Sequence, residues 1–345
     1  MVRVSVVFGT RANDFALPHL QRILCCLAQQ TFQDFEVLVV CDREFTEQEY
    51  SDFFSSLDSS LRSEWRVEIL NKVKFFTNLN SDFLSSSNNA SYVRNFWLKK
   101  ADTELVQLFD DDNGFDEEYL QRAVAYYDEF KEKKKTEVVI CSTMLYRDSD
   151  CIQSQGFSSF CYWQSRPRVN FLKDKVVPSY WEESPLPPLT KGSNGYSEIQ
   201  MFSGNGLLGS CQIFQSVLYD EEIAWIAEDM DFTLSLYERG IKLFVFADLM
   251  VRHYERNKTK LEEAWIGNQK QAHQKARNWF LFVYKHGTTW DRVAFWCVGL
   301  PGCLVWLSLK ALRLGKKKGF WIIKGLFWGC REGWKRVREK KCRKD

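Results

Sequence analysis

The sequence predicts an α/β domain with a mostly parallel sheet flanked by helices, and three observations carry that prediction. β-rich apolar runs alternate with helix-period segments through the first hundred residues, the order expected of a doubly wound sheet. One of those runs, Leu105-Val106-Gln107-Leu108-Phe109, leads directly into three carboxylates, Asp110, Asp111 and Asp112. A second acidic cluster, Glu228-Asp229-Met230-Asp231, opens a helical segment farther along. Open α/β sheets bind ligands beyond the carboxyl ends of their strands, so the first cluster is placed where such a site would form.

Taken in order, Val2 to Phe8 is β-rich and stops at Gly9-Thr10-Arg11. Leu20, Ile23, Leu24 and Leu27 then recur at three- and four-residue spacing, predicting a helix over 17–29. Phe35 to Cys41 is a second strand ending at Asp42, and 67–70 reads as a short third strand. A helix containing Tyr92 to Lys99 carries Arg94 and precedes the acidic strand, which Asn113-Gly114 closes as a turn. Residues 141–196 are rich in aromatics, prolines and polar residues, and their Pro185-Leu186-Pro187-Pro188 and Lys191-Gly192-Ser193-Asn194-Gly195 stretches read as loops, of the kind that carry substrate selectivity over the ligand end of a sheet. The acidic helix from Glu228 stops at Gly240, and Ile241 to Ala247 forms another strand, with His253 beyond it.

Three adjacent carboxylates repel one another unless a cation or hydrogen-bond donors compensate. A hard divalent ion held by one or two carboxylates, with phosphate oxygens completing its shell, meets that need. An EF-hand is excluded by spacing: with Gly114 sixth in the loop, Phe109 and Leu120 would fill positions that need oxygen ligands. There is no G-x-G-x-x-G after the first strand and no G-x-x-x-x-G-K-[ST]. The eleven cysteines include no C-x-x-C pair, so free thiols in a reducing compartment are expected rather than zinc sites or disulfides. No secretory leader pattern precedes the first strand.

Together these segments resemble family-2 glycosyltransferases of the GT-A fold, over most of Val2 to His286. The ordered set carries the resemblance: Q-Q-T-F-Q-D-F-E-V-L-V-V-C-D, N-N-A-S-Y-V-R-N, L-F-D-D-D-N, F-S-G-N-G-L-L-G, A-E-D-M-D-F-T-L-S-L-Y-E-R-G and V-R-H-Y-E. The membrane-associated rhamnosyl- and galactofuranosyl-type transferases of surface glycans are the nearest in kind. The resemblance implies that Asp110 and Asp112 form a D-x-D pair, with Asp112 and also Asp110 as ligands of Mn²⁺ or Mg²⁺ and Asp110 or Asp111 near the ribose. It implies that Thr10, Arg11, Asp42 and Arg94 contact the donor, Arg94 at the diphosphate. It makes Asp229 the general base, with Glu228 as its rival, and His253 a further metal ligand. Gly9-Thr10-Arg11 and Cys41-Asp42-Arg43-Glu44 both depart from the family's usual turns. The implied reaction is inverting transfer from a nucleoside diphosphate sugar, UDP being the favoured nucleotide, to a glycan or lipid-linked acceptor. A nucleotidyltransferase and a catalytically silent membrane scaffold are the alternatives.

The remainder is a helical region. Residues 1–260 are expected to be catalytic, with 1–115 on the donor side and 140–260 on the acceptor side, and 261–345 to be a C-terminal unit. Asn268 to His286 reads as a helix, and Val293 to Leu309 is strongly apolar. Those seventeen residues at about 1.5 Å each give roughly 25 Å, short of the roughly 30 Å hydrocarbon core. Pro301-Gly302 is expected to break the helix. From Lys310 to Asp345 there are 14 Lys/Arg and 3 acids, a net of +11, which leaves +2 − 11 = −9 for the rest. A single crossing would place that tail opposite a cytosolic enzyme, against the positive-inside tendency. The expected arrangement is therefore an interfacial or re-entrant attachment to an anionic membrane at its cytoplasmic face, with no nucleic-acid partner.

Overall fold

The computed structural model describes residues 2–10, 17–41, 69, 71–77, 90–146, 152–156, 160–161, 166–167, 195–202, 205–223, 227–254, 268–312 and 316–342. Two predicted site residues, Arg11 and Asp42, lie outside them, as do most of the expected loops at 147–194.

Strands β1 (Val4–Thr10), β2 (Phe35–Cys41), β3 (Val73–Thr77) and β4 (Leu105–Leu108) form the parallel half of the sheet, in the order β3-β2-β1-β4. The connections through α1 (Leu17–Ala28) and α2 (Ala90–Lys100) are the crossovers that parallel neighbours require. The strand order reverses between β1 and β4, so the carboxyl ends of these two define the ligand-binding crevice. Thr10 ends one, and Asp110 follows the other after Phe109.

Two readings need correction here. Gly9 and Thr10 are not a turn: they remain in the ladder opposite Val40 and Cys41. A Cβ on Gly9 would strike the Trp97 ring of α2, so its glycine serves close helix–strand packing. The third described strand is Val73–Thr77; of the expected strand 67–70 only Ile69 lies among the described residues, and it is helical. Val73-Lys74-Phe75-Phe76-Thr77 is as β-prone as the earlier run and lies in register with Val37 to Cys41.

Beyond β4 the sheet changes character. The turn strand β5 (Asn113–Gly114) leads to α3 (Tyr119–Lys134), β6 (Val138–Tyr146) and β7 (Ile152–Ser154). β8 (Phe160–Cys161) and β9 (Arg166–Pro167) pair with each other. β10 (Tyr196–Ile199) is the far edge, and β11 (Leu207–Ser210) runs antiparallel between β4 and β6. Helices α4 (Cys211–Val217) and α5 (Glu228–Glu238) precede β12 (Lys242–His253), which is parallel to β6. Gly240, at φ +85, ends the α5 turn as expected. The core is the sheet's own: Val6, Val37, Leu105, Val106, Ile140, Leu208 and Phe244 are all fully buried.

β12 continues to His253 instead of stopping at Ala247. Between Phe246, opposite Ser142, and Met250, opposite Thr143, three residues are inserted as a bulge. Bulges bend a strand and re-aim its side chains. Past this one, Arg252 and His253 pair with Gly114 and Asn113 of β5, which seats the strand's end on the acidic turn.

The C-terminal region is α6 (Gln269–His286), α7 (Thr289–Ala294), a π-helical turn (Phe295–Gly299), α8 (Leu300–Leu312) and α9 (Lys316–Cys342). Asn268 caps α6 by accepting from the Gln271 N–H at 2.9 Å. The expected break at Pro301-Gly302 is absent, and the π turn explains why. The Leu300 N–H donates to the Phe295 carbonyl, five residues back, so the ladder is already shifted where Pro301 brings no N–H. α9 packs along α6 through Gly325, Gly329 and Gly333, where a Cβ would strike the backbone carbonyls of Gln269, His273 and Arg277. Small residues at four-residue spacing let two helix backbones approach this closely. Among the described residues, no helix is long and apolar enough to cross a membrane.

Candidate active site

The site assembles at the switch point between β1 and β4. All four residues of β4 are buried, so the chain emerges from the core already aimed at the crevice. The turn that follows is self-braced: the Asp110 N–H donates to Asn113 Oδ1 at 2.9 Å, and the Asn113 N–H to the Asp110 carbonyl at 3.2 Å. The Tyr254 N–H donates to the Asp112 carbonyl at 2.7 Å, fixing the end of β12 over the turn.

The consecutive carboxylates then part company. Asp112 Oδ2 faces His253 Nε2 at 3.2 Å. The other ring nitrogen, Nδ1, lies 3.2 Å from Gln153 Oε1 on β7, an atom that can only accept. With Nδ1 donating to that oxygen, Nε2 is the ring nitrogen left facing the carboxylate. An imidazole nitrogen and a carboxylate oxygen, with the imidazole oriented from behind by a carbonyl, make a donor set suited to a divalent transition metal. Among the described residues no group of three or more His, Cys, Asp or Glu side chains is gathered as a complete metal cluster. Asp112 and His253 would therefore hold such an ion together with oxygens from a ligand.

Asp110 is engaged on the other side. Its Oδ1 accepts from Arg94 Nη2 at 3.2 Å, and its Oδ2 from the amide of Asn205. Arg94 Nη1 donates to Glu228 Oε1 at 2.9 Å, and Nη2 also reaches Asn205 Oδ1 at 3.4 Å. The guanidinium lies 5.3 Å from the centre of the Tyr219 ring. Burial alone would lower its pKa, but the carboxylates of Asp110, Glu228 and Asp229 outweigh that and hold it well above the ordinary arginine value. Arg94, read from sequence as a diphosphate contact, is thus placed as a buried bridge between the acidic turn and the start of α5. Burial likewise pushes the Tyr219 phenol up, so it stays neutral.

At the start of α5 the two rival bases separate. Glu228 is buried and committed to Arg94, whereas Asp229 is half-buried, its Oδ1 accepting from the Met230 N–H at 2.9 Å. Ala227, which precedes them, sits at φ +69, a conformation L-residues adopt at a cost. Thr10 is 6% exposed and, among the described residues, its hydroxyl has no hydrogen-bond partner, an orphan donor at the carboxyl end of β1 that a ligand would satisfy. Asp111 is half-buried in the acidic turn.

Sequence reading missed Asn205, because the glycines around it drew the attention. Gly206, at φ +85, has Ser142 Oγ where a Cβ would sit, only 2.5 Å away, so the Asn205-Gly206 pair threads the loop between Asp110 and β6. Gly206→Ala combines a steric clash with a disfavoured φ. It is expected to destabilise the protein by about 2–4 kcal/mol, checked by urea denaturation.

Also missed was the anchor of α5. Asp231, 1% exposed, accepts from Lys285 Nζ and from His286 Nε2, each at 2.7 Å, at the end of α6. Lys285 also reaches Asp220 at 3.3 Å, and His286 Nδ1 reaches Glu238 Oε2 at 2.9 Å. Two basic residues closing a helix were the available signal. Burial would lower the His286 pKa, but its hydrogen bonds to Asp231 and Glu238 outweigh burial and raise it. Folding therefore favours the imidazolium. Its contribution is complete below the unfolded value of about 6.5 and is lost as pH rises through the elevated folded value. The melting temperature of the wild type should fall relative to that of His286→Gln as pH rises through that window; parallel profiles would remove the anchor.

Neither a protein-family profile nor a curated protein sequence matches the chain. Solved structures do. The crystal structure of GalNAc-T7 with UDP, GalNAc and Mn²⁺ matches at TM-score 0.54 and 14% identity, over 84% of this chain and 49% of that one. The chain thus spans about half the length of that protein. S. aureus TarS 1–349 matches at TM-score 0.47 and 17% identity, over 99% of this chain and 92% of that one. Its complex with UDP-GlcNAc gives 0.48 and 15%, over 98% and 92%. At such identities the likeness speaks to architecture: the chain has a mixed α/β fold, with a mostly parallel central sheet flanked by helices, of the GT-A kind.

Proposed function

We propose that this protein is an inverting glycosyltransferase that moves a sugar from a nucleoside diphosphate sugar, UDP-linked by preference, to a hydroxyl of a glycan or lipid-linked acceptor. One observation carries the reading: the Asp110–Asp112 turn at the switch point is tied on one side to His253 and on the other, through Arg94, to Glu228, the residue beside Asp229. Support also comes from the shared architecture with a protein crystallised with UDP and Mn²⁺.

Each residue has a defined task in this reading. Thr10, at the end of β1, offers its unpartnered hydroxyl to the nucleoside. Asp112 and His253 would hold Mn²⁺ or Mg²⁺, which when bound supplies neutralisation of the departing diphosphate. Asp229, at the half-buried start of α5, takes the proton of the attacking acceptor hydroxyl, and the Arg94–Glu228 bridge holds that helix start against the acidic turn. No enzyme nucleophile is needed, so one displacement with inversion follows. The rhamnosyl or galactofuranosyl character implied by the sequence belongs to this proposal as its narrower form.

The test is release of nucleoside diphosphate from a panel of donors with an oligosaccharide acceptor mixture, with Mn²⁺ and with chelator. Asp229→Asn should slow turnover by about 10²–10⁴-fold while leaving donor binding intact. Binding of UDP with metal but equal turnover in Asp229→Asn would move the base elsewhere. A chain that binds no nucleotide at all would be a scaffold.

A further inference from the structure

Fourteen large apolar side chains are exposed among the described residues, and twelve of them lie between Trp290 and Trp334, so the apolar surface is concentrated on the C-terminal helices. On α8 and the π turn before it, Val298, Val305, Leu309 and Leu312 are 50–61% exposed and recur at helical spacing along one side. On α9, Phe320, Trp321, Phe327 and Trp328 are 42–60% exposed. The two helices pack against each other. The opposite side of α9 is spent on α6, where Ile322, Gly325, Leu326, Gly329 and Gly333 are buried, so the glycine seam fixes which side faces outward.

Charge follows the same face. Lys324 lies within the aromatic stripe, its Nζ 4.9 Å from the Trp321 ring centre and 4.5 Å from that of Trp328. Arg331, Lys335 and Arg338 continue the exposed side one to three turns on. The acid Glu332 is turned back to His273, Arg277 and Arg336, and the exposed Glu339 offsets one of these cations, Lys335, at 3.8 Å, so the outward side keeps a net positive charge. Aromatic rings that keep one end wet, interleaved with cations whose stems lie along them, suit the boundary between headgroups and acyl chains. A second copy of this chain would bring the same +11 segment against itself. A neutral apolar partner would leave the cations unused.

We infer that the outer face of α8 and α9 docks on an anionic lipid bilayer, the α9 aromatics entering the headgroup region and the basic residues beyond them meeting lipid phosphates. The face is peripheral to the sheet, and α6 connects it to the catalytic body through Lys285 and His286 on Asp231. The inference does not depend on the sugar-transfer reading, because its test involves no donor.

The experiment is flotation of the full chain with vesicles of phosphatidylcholine alone and of phosphatidylcholine with phosphatidylglycerol, at low and high salt, with tryptophan emission as a second readout. The expected result is flotation with the anionic vesicles only, weakened by salt, with a blue shift of emission. Phe327→Ser/Trp328→Ser, both on the exposed side, should bind at least about tenfold more weakly. Each of Arg331→Gln and Lys335→Gln should cost about fivefold. An unchanged melting temperature in these variants would show that they fold. Flotation with neither vesicle, equal flotation of the variants, tighter binding to duplex DNA than to anionic vesicles, or a concentration-dependent dimer that protects the tryptophans from quencher would each overturn the assignment.

Discussion

Replacing Arg94 by methionine is expected to destabilise the protein by about 3–5 kcal/mol, the usual cost of stripping one partner from a buried ion pair. Glu228 is the reason. Its side chain is only 9% exposed, so without the guanidinium its charge has neither water nor a cation. Asp110, with a side chain 35% exposed, can be rehydrated and contributes less. The double variant Arg94→Met/Glu228→Gln should recover much of the loss, because no buried charge is then stranded. Denaturant unfolding of the single and double variants measures the coupling directly. Losses that simply add would show that the bridge has no structural role. Lysine at position 94 is expected to rescue only partly, since one ammonium cannot span Asp110 and Glu228 as the guanidinium fork does.

Asp112→Asn should behave in the opposite way, preserving the fold and removing metal-linked binding. The side chain keeps its size and is about one-fifth exposed, so little stability is at stake. Losing one of two protein ligands should weaken Mn²⁺-dependent UDP affinity by at least about a hundredfold, seen by calorimetry. Gln153→Ala, which removes only the carbonyl behind His253 Nδ1, should cost about 10–100-fold in the same assay. A variant series in which Gln153 matters more than Asp112 would contradict the assignment of ligand and support.

The parts of the fold legible in the sequence are those whose signals are local. Phe35 to Cys41 and Leu105 to Leu108 were legible as β-prone, mostly apolar runs, and α1 from its periodicity. Gly240 announced the end of α5. Non-local features were not legible. Nothing in Leu207-Leu208-Gly209-Ser210 says that the strand runs antiparallel between β4 and β6, because strand direction is set by neighbours far away in sequence. The bulge of β12 was hidden in a continuous β-prone stretch, and with it the reason His253 reaches Asp112. Pro301 misled because its missing N–H is absorbed by the π turn, a feature with no simple sequence signature.

The site divides along the same line. The residue types were visible: acids at a strand end, acids at a helix start and a histidine near a later strand. Their partners were not. Arg94 was assigned to a phosphate because Glu228, its nearest acceptor, lies 134 positions away in sequence. Asp231 resembled ordinary helix-dipole complementation, whereas it receives Lys285 and His286 from another helix. Asn205 needed the fold to place it beside Asp110.

The central claim is that this crevice binds a nucleoside diphosphate together with a divalent metal. The most direct test is the melting temperature of the full chain with UDP, with Mn²⁺, with both, and with both plus chelator. The account predicts clear stabilisation only when UDP and Mn²⁺ are present together, worth about 2.7 kcal/mol at a hundred times Kd. That shift should vanish with chelator and in Asp112→Asn. Equal protection with and without metal, or no protection by any nucleoside diphosphate with Mn²⁺ present, would contradict it.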